Sequence, residues 1–102
     1  MLKIKYIAIE SLQPYKNNSK THPDLQIAQI QSSIQEYGFC EPVLVDEDNT
    51  ILSGHARIQA LKEMGETQAP TICLKGLSET QKKKAVIIFN KVQENGDWYR
   101  PN

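Results

Sequence analysis

The residues best suited to chemistry form one short run, Ser53-Gly54-His55-Ala56-Arg57, directly after the apolar pair Ile51-Leu52. The pattern predicts a strand that passes through a glycine into a helix with His55 and Arg57 in its first turn. Backbone N–H groups and the dipole at a helix N-terminus attract anions. A glycine lets a phosphate approach the backbone, and an arginine can donate two parallel hydrogen bonds to it. The run is therefore a candidate phosphate site, with Ser53, Gly54, His55 and Arg57 as its residues. The alternative is that Gly54 only eases the turn and Arg57 pairs with an acidic neighbour.

Two side chains are candidates for a catalytic role. His55 can act as a base, since imidazole titrates close to neutral pH, or it can be an exposed residue at a helix start. Glu41 precedes Pro42 at a predicted strand start and can help to place Mg²⁺, although a solvated glutamate is the more common arrangement at a strand end. The residues alone leave both roles open.

The other metal-binding residue types do not form a convincing site. One acidic run, Asp46-Glu47-Asp48, can be interpreted as a nuclease metal cluster. Acidic residues are also ordinary in hairpin turns, and we favour the interpretation that these residues form a turn. A second set lacks the paired spacing of a zinc site: Cys40, Cys73, His22 and His55. We predict no metal site from these residues, a capping-region role for His22 and small core positions for the two cysteines.

Charge restricts how the chain can contact nucleic acid. It has 12 Lys+Arg and 12 Asp+Glu, so its formal net charge is zero, and any contact with DNA needs a local basic patch. Lys82, Lys83 and Lys84 on the last predicted helix offer such a patch. The same run is typical of the solvated side of an amphipathic helix, so DNA binding by these lysines is a hypothesis.

The elements that must position these residues are strands and helices in nearly alternating order. We predict strands over residues 3–9, 43–45, 51–52 and 69–74, the second and third forming a hairpin. Helices are predicted from a capping box at Thr21-x-x-Asp24 to Gly38, from Gly54 to Gly65, and from a capping box at Ser78-x-x-Gln81 onward. These elements define an α+β fold with a small mixed β-sheet and packed helices.

Two finer expectations concern the sheet and the last helix. Pro70 lacks a backbone N–H, which predicts a sheet edge or a strand start at this position. The spacing of four apolar residues on the last helix predicts that they face inward: Ala85, Ile88, Phe89 and Val92.

Length and composition fit one globular domain. The chain has 102 residues, of which 39% are hydrophobic and 24% charged, as is usual for a soluble domain. We assign residues 1–98 to a single domain and residues 99–102 to a C-terminal tail. The longest apolar run, residues 85–89, is far shorter than the roughly 20 residues of a membrane helix, so no membrane partner is expected. Two cysteines without a CxxC pattern favour a reducing, cytoplasmic location.

Five segments follow one another in an order typical of one family. They are residues 9–14 (an opening strand and L-x-P), 17–22 (a loop with a basic residue, here Lys20), 33–45 (S-I-x-x-x-G-x-x-x-P-I-x-V), 51–57 (a G-x-x-R box) and 89–91 (a late Asn segment). From residue 7 to about residue 98, the chain thus resembles the N-terminal domain of the ParB/sulfiredoxin superfamily. Its nearest branch is similar to the ParB-like nuclease domains of phages and mobile elements, often found beside DNA methyltransferases.

The resemblance implies roles for individual residues. Gly54 and Arg57 match the first and last positions of the G-E-R-R box that holds the triphosphate of CTP in partition proteins, while His55 and Ala56 replace its Glu and inner Arg. Lys20 stands where relatives often have Arg and is expected to assist phosphate binding. In sulfiredoxin the position of His55 is a catalytic cysteine, so cysteine sulfinate reduction is not implied for this chain.

These implications lead to one main functional expectation and three alternatives. The resemblance implies a ParB-like domain of a phage, plasmid or mobile element that acts in DNA metabolism. Its expected ligand is a nucleoside triphosphate, CTP or ATP, bound with Mg²⁺. Its expected partner is DNA or a DNA methyltransferase. The alternatives are ATP- or ADP-dependent phosphoryl transfer, as in a serine-kinase branch whose D-G-H-H-R resembles residues 53–57, a ParB-like nuclease, and an interaction module without a ligand. Whether the chain is an enzyme is left open.

Overall fold

A computed structural model of the chain describes residues 3–16, 23–38 and 41–95, the last six of them by their helical backbone alone. Within these residues the strands are β1 (Ile4–Ala8), β2 (Val43–Val45), β3 (Ile51–Ser53) and β4 (Gln68–Cys73). The helices are α1 (Asp24–Tyr37), α2 (His55–Glu63) and α3 (Glu79–Asn95), and one turn of 3₁₀-helix (Ile9–Ser11) follows β1. The predicted first strand is therefore shorter than expected, because the chain turns at Ile9.

The strands form one mixed sheet in the order β1-β4-β2-β3. β4 runs antiparallel to β1 and parallel to β2, and β2 forms an antiparallel hairpin with β3. The prediction of an α+β fold with a small mixed sheet is confirmed, as is the hairpin. The position of Pro70 is different from the prediction, because β4 is an internal strand. Pro70 pairs only with Tyr6 of β1, because the pairing of β4 with β2 starts one residue later, at Thr71. The missing N–H of Pro70 is therefore tolerated on the side of β2.

The core lies on the face of the sheet that α2 covers. Val43 and Val45 of β2 are fully buried against Ile58 and Leu61 of α2, as expected for alternate residues of a strand whose one face is covered. α1 packs on the other side of α2, where Ile27 meets Ala56 and Ala60. This packing fixes the direction of α2, and with it the position of the residues in its first turn.

The helix ends follow the predictions in part. Ser78 N donates to Gln81 Oε1 at 2.8 Å and Gln81 N donates to Ser78 Oγ at 3.1 Å, which is the predicted reciprocal capping box of α3. Gly38 ends α1 as expected, with φ +82°. The capping box at Thr21 is wrong, because the N-cap of α1 is Pro23 and Asp24 is its first residue; Thr21 itself lies outside the described residues.

The prediction for the inward face of α3 is wrong in part. The covered stripe on this helix runs through Lys82, Ala85 and Val86, a 3-4 spacing that leaves Ile88 on the outer side with 56% exposure. Phe89 continues the stripe but remains 37% exposed, and the side chain of Val92 lies outside the described residues. Among the helices the structure describes, none is long and apolar enough to cross a membrane.

Candidate functional site

The predicted strand–glycine–helix junction is present, and its backbone requires glycine. Gly54 is the N-cap of α2 with φ +109° and ψ +21°, a left-handed conformation that residues with a Cβ adopt at a cost. A Cβ at this position would lie 3.0 Å from Val43 Cγ2 and 3.1 Å from Arg57 Nη2. The first bond of the helix is donated by Ile58 N to Gly54 O at 2.9 Å. No side chain among the described residues caps this N-terminus, which leaves it open to a ligand oxygen.

Arg57 lies in the first turn of α2, and its side chain is only 10% exposed. Its Nη2 donates to Pro42 O at a long 3.4 Å, and its Nη1 lies 3.6 Å from Glu41 Oε1. Its Nε is buried and makes no hydrogen bond within the described part of the chain. Burial lowers the pKa of Arg57, while Glu41 raises it. Because an arginine side chain is not deprotonated in proteins, the guanidinium keeps its charge.

These contacts are weak compensation for a buried cation. The Glu41 side chain is 76% exposed, and an ion pair with so exposed a partner is worth at most about 1 kcal/mol. Removing a cation from water costs several kcal/mol unless its donors are satisfied, and a donor of Arg57 is not. The junction therefore combines an uncapped helix N-terminus with a positive charge that lacks a full set of acceptors, which is the arrangement an anion would complete.

His55 is the first residue of α2, and its imidazole anchors a distant segment. Its Nε2 accepts a hydrogen bond from the backbone N–H of Tyr15 at 3.3 Å. The structure therefore brings Tyr15 to the junction, which the sequence analysis missed. The two residues are 40 positions apart, and no local spacing connects them.

Of the remaining predicted site residues, only some lie in the described part of the chain. Ser53 is only 1% exposed, at the end of β3 where it pairs with Leu44, so solvent does not reach its side chain directly. Lys20 and His22 lie outside the described residues, as does Cys40, and their predicted roles stay predictions. Cys73 is a free, half-buried cysteine packed against the core, as expected.

The acidic hairpin turn is built by its own hydrogen bonds. Asp46 Oδ1 accepts from Asp48 N at 2.8 Å and from Thr50 N at 3.0 Å, and Glu47 Oε2 accepts from Gly76 N at 2.8 Å. The interpretation of these residues as turn formers is confirmed. Among the described residues, no group of three or more His, Cys, Asp or Glu side chains is arranged to hold a metal ion.

One lysine of the predicted basic patch is not at the surface. Lys82 Nζ lies 3.0 Å from Asp46 Oδ2 and 3.6 Å from Glu79 Oε2, with only 11% of its side chain exposed. The prediction that Lys82 joins a solvated basic face with Lys83 and Lys84 is wrong, because the carboxylate of the hairpin turn draws Lys82 inward. The other two lysines are exposed, and the DNA-binding hypothesis now concerns them alone.

Fold and site together define a small α+β domain with an open helix N-terminus and a buried arginine at a strand–glycine–helix junction. The family model of the ParB N-terminal domain matches residues 1–91, and the chain belongs to this family. It is 40% identical over 83 residues to the ParB-like nuclease domain-containing protein YnaK of Escherichia coli K12, covering 81% of this chain and 95% of YnaK. It is 26% identical to the probable chromosome-partitioning protein ParB of Campylobacter jejuni, covering 93% of this chain but only 34% of that protein.

Solved structures share the fold. The chromosome-partitioning protein ParB of Caulobacter crescentus, truncated at its C-terminus and complexed with CTP-gamma-S, matches with a TM-score of 0.74 at 23% identity, over 89% of this chain and 53% of that one. Sulfiredoxin from Arabidopsis thaliana matches with a TM-score of 0.69 at 21% identity, over 79% and 94% of the two chains. A free serine kinase in complex with AMP matches with a TM-score of 0.64 at 23% identity, over 76% and 33%. The chain thus spans about half or less of the partitioning proteins and the kinase that it matches.

Proposed function

We propose that this domain binds the phosphates of a nucleotide at the junction between β3 and α2, and that it acts in the DNA metabolism of a phage, plasmid or other mobile element. The observation that carries the proposal is the guanidinium of Arg57. It is buried beside a helix N-terminus that no side chain of the described residues caps, and its Nε makes no hydrogen bond within the same residues. A phosphate supplies oxygens to both donor sets at once. This explains why a buried cation is held where the protein compensates it poorly.

Each residue of the junction has its own role in the proposed phosphate binding. Gly54 leaves room for an oxygen near the backbone, the first N–H groups of α2 donate to it, and Arg57 neutralises its charge. Mg²⁺ in nucleotide sites is usually held by one or two carboxylates together with the phosphates. Glu41 fits the role of one such ligand, because its side chain is largely exposed and its Oε1 lies 3.6 Å from Arg57 Nη1. Lys20 remains part of the proposed phosphate site.

The comparisons support a nucleotide as the ligand. Two proteins of the same fold were solved with one, CTP-gamma-S in ParB and AMP in the serine kinase. CTP and ATP are therefore the first ligands to test. A cytoplasmic location, and DNA or a DNA methyltransferase as partner, belong to the same proposal.

The test is calorimetric titration with CTP, ATP, ADP and GTP in the presence of Mg²⁺. We expect saturable binding by the native chain, at least a tenfold weaker affinity for Arg57→Ala, and partial recovery in Arg57→Lys, which keeps the charge but loses the planar fork. Lys62→Ala is the matched control, because it removes the same charge from the exposed end of α2. Native affinity in Arg57→Ala, or no binding of any of the four nucleotides by the native chain, would contradict the proposal.

Contact with DNA is assigned to the exposed lysines of α3. We expect Lys83→Glu/Lys84→Glu to weaken binding to a non-specific duplex and to reduce its salt dependence, since phosphate contacts release counterions. Lys82→Met is the control for a lysine that is already paired with Asp46. Unchanged DNA affinity in the double variant would remove DNA from the proposal and leave an interaction module.

A phosphoryl-transfer enzyme is the second candidate, favoured by the AMP-bound serine kinase of the same fold. It predicts loss of the terminal phosphate of ATP or ADP only when a hydroxylated acceptor is present. The description of YnaK as containing a ParB-like nuclease domain favours a nuclease instead, which predicts Mg²⁺-dependent cleavage that is lost in Glu41→Ala or His55→Ala. Incubation with labelled nucleotide and with plasmid DNA distinguishes the two activities.

A further inference from the structure

Gln13 and Tyr15 are held in place by three hydrogen bonds, two to the hairpin and one to the first residue of α2. Gln13 N donates to Asn49 O at 2.9 Å, and Ile51 N donates to Gln13 O at 2.7 Å. Two residues further along, Tyr15 N donates to His55 Nε2 at 3.3 Å. The first two bonds attach the segment to the hairpin, and the third attaches it to the first residue of α2. The backbone of Tyr15 is therefore fixed beside the open end of that helix.

Of the aromatic residues that the structure describes, Tyr15 is the one that these contacts bring to the junction. Of the other described aromatic residues, Tyr6 lies on the edge strand β1, Tyr37 at the C-terminal end of α1, and Phe89 in the second half of α3. Tyr15 is half-buried, so its ring is partly held by the protein and partly available. The ring lies within one side-chain length of a residue that borders the phosphate site.

We infer that Tyr15 recognises the base of the bound nucleotide by stacking, and that His55 is the positioning residue that holds it there. This inference rests on the proposed nucleotide site. Aromatic side chains bind nucleobases through their π faces, and the site otherwise offers only groups suited to the phosphates. His55 thus acts through the Tyr15 backbone, because its Nε2 accepts the hydrogen bond from Tyr15 N.

The inference predicts different effects on the affinity for phosphates alone and on the affinity for a whole nucleotide. Tripolyphosphate has the phosphates of a nucleotide without its base, so it reports on the proposed phosphate site without Tyr15. A nucleoside triphosphate reports on that site and on Tyr15 together. Stacking of one base on one aromatic ring changes affinity by roughly 5- to 150-fold, which is easily measured.

The experiment titrates the native chain and its variants with tripolyphosphate and with CTP and ATP, each with Mg²⁺. We expect Tyr15→Ala to weaken the tighter-binding nucleotide at least fivefold and to leave tripolyphosphate unchanged, while Tyr15→Phe keeps both affinities. His55→Ala is expected to weaken nucleotide binding selectively, and His55→Gln, whose amide oxygen can accept the same N–H, to restore part of it. Tyr6→Ala is the matched control, because Tyr6 is 67% exposed and lies on β1, at the opposite edge of the sheet from β3.

Each contrary outcome has a definite meaning. Equal weakening of both ligands in Tyr15→Ala assigns the residue a structural role and overturns the inference, as does no weakening of either. Tripolyphosphate bound as tightly as the nucleotides overturns the inference but leaves the proposed phosphate site standing. If the native chain binds neither kind of ligand, the proposed function and the inference fail together. Thermal unfolding of Tyr15→Ala shows whether the variant is folded, and Tyr15→Leu, which keeps apolar bulk without an aromatic ring, replaces it if it is not.

Discussion

The substitution Gly54→Ala tests the junction most directly, because two separable costs meet at this residue. A left-handed φ of +109° costs a residue with a Cβ about 1–2 kcal/mol. The new Cβ would also lie 3.0 Å from Val43 Cγ2, and Val43 is fully buried, so the neighbouring strand must shift. Crowding in a packed core typically costs about 1–3 kcal/mol. We expect the two costs to lower the free energy of unfolding by about 2–5 kcal/mol.

Gly65→Ala is the matched control for this substitution. Gly65 also has a left-handed φ of +83°, but nothing lies within 4 Å of the Cβ it would gain, so only the backbone cost of about 1–2 kcal/mol applies. Urea denaturation of the two variants and the native chain, followed by circular dichroism, gives both differences. The reasoning is refuted if both variants lose the same stability, since Val43 and Arg57 then do not crowd this position, or if Gly54→Ala loses less than about 0.5 kcal/mol.

Three further predictions use other parts of the same structure. Arg57→Met is expected to leave the melting temperature unchanged or to raise it while nucleotide binding is lost, because an apolar side chain avoids the cost of the poorly compensated cation; a clear fall in the melting temperature would mean that Arg57 is adequately satisfied. Burial raises the pKa of Asp46, but hydrogen bonds from Thr50 N, Lys82 and Asp48 N together outweigh it and lower this pKa below its ordinary 3.8. The ionised carboxylate therefore stabilises the fold above pH 3.8, and this stabilisation is lost as the pH falls through the folded pKa. Asp46→Asn should therefore flatten the decline of stability between about pH 5 and pH 2, and an unchanged decline would show that other carboxylates cause it. Leu52→Ala removes a fully buried side chain from β3 and is expected to cost about 2–5 kcal/mol in urea denaturation, with less than 1 kcal/mol indicating that the position is not packed.

The parts of the fold that sequence predicts well are those with a local physical cause. The hairpin between β2 and β3, the glycine at the start of α2 and the capping box of Ser78 and Gln81 each depend on residues within a few positions of one another. Local patterns fail where tertiary contacts decide. The run of three lysines at the start of α3 looks uniformly solvated. Lys82 nevertheless turns inward to pair with Asp46, which lies far away in the sequence. Ile88 fits an apolar stripe by its spacing, but the stripe that the sheet covers is shifted to include that lysine.

The sequence predicts which residues form the candidate site, but not how deeply they are buried or what they contact. Gly54 and Arg57 follow from the sequence, since a glycine before a helix and an arginine in its first turn are visible as a motif. The burial of Arg57, the loose contact with Glu41 and the anchoring of Tyr15 by His55 all depend on how α2 packs against β2 and how the segment before α1 crosses the hairpin. No pattern in the sequence encodes those distances.

Among the residues whose burial the structure describes, two cations are buried, and comparing them bears on function. The side chains of Lys82 and Arg57 are 11% and 10% exposed, so both have left water to a similar degree. Lys82 is matched by a carboxylate at 3.0 Å that is itself buried, and the fold thus contains the means to satisfy a buried charge. At Arg57 the acidic partner is exposed and 3.6 Å away, and Nε has no acceptor within the described residues. Proteins depart from full local satisfaction mainly at functional sites. Because the unmet donor lies beside an uncapped helix N-terminus, we infer that the missing acceptor comes from a bound phosphate, which makes Arg57 the residue whose replacement separates stability from binding.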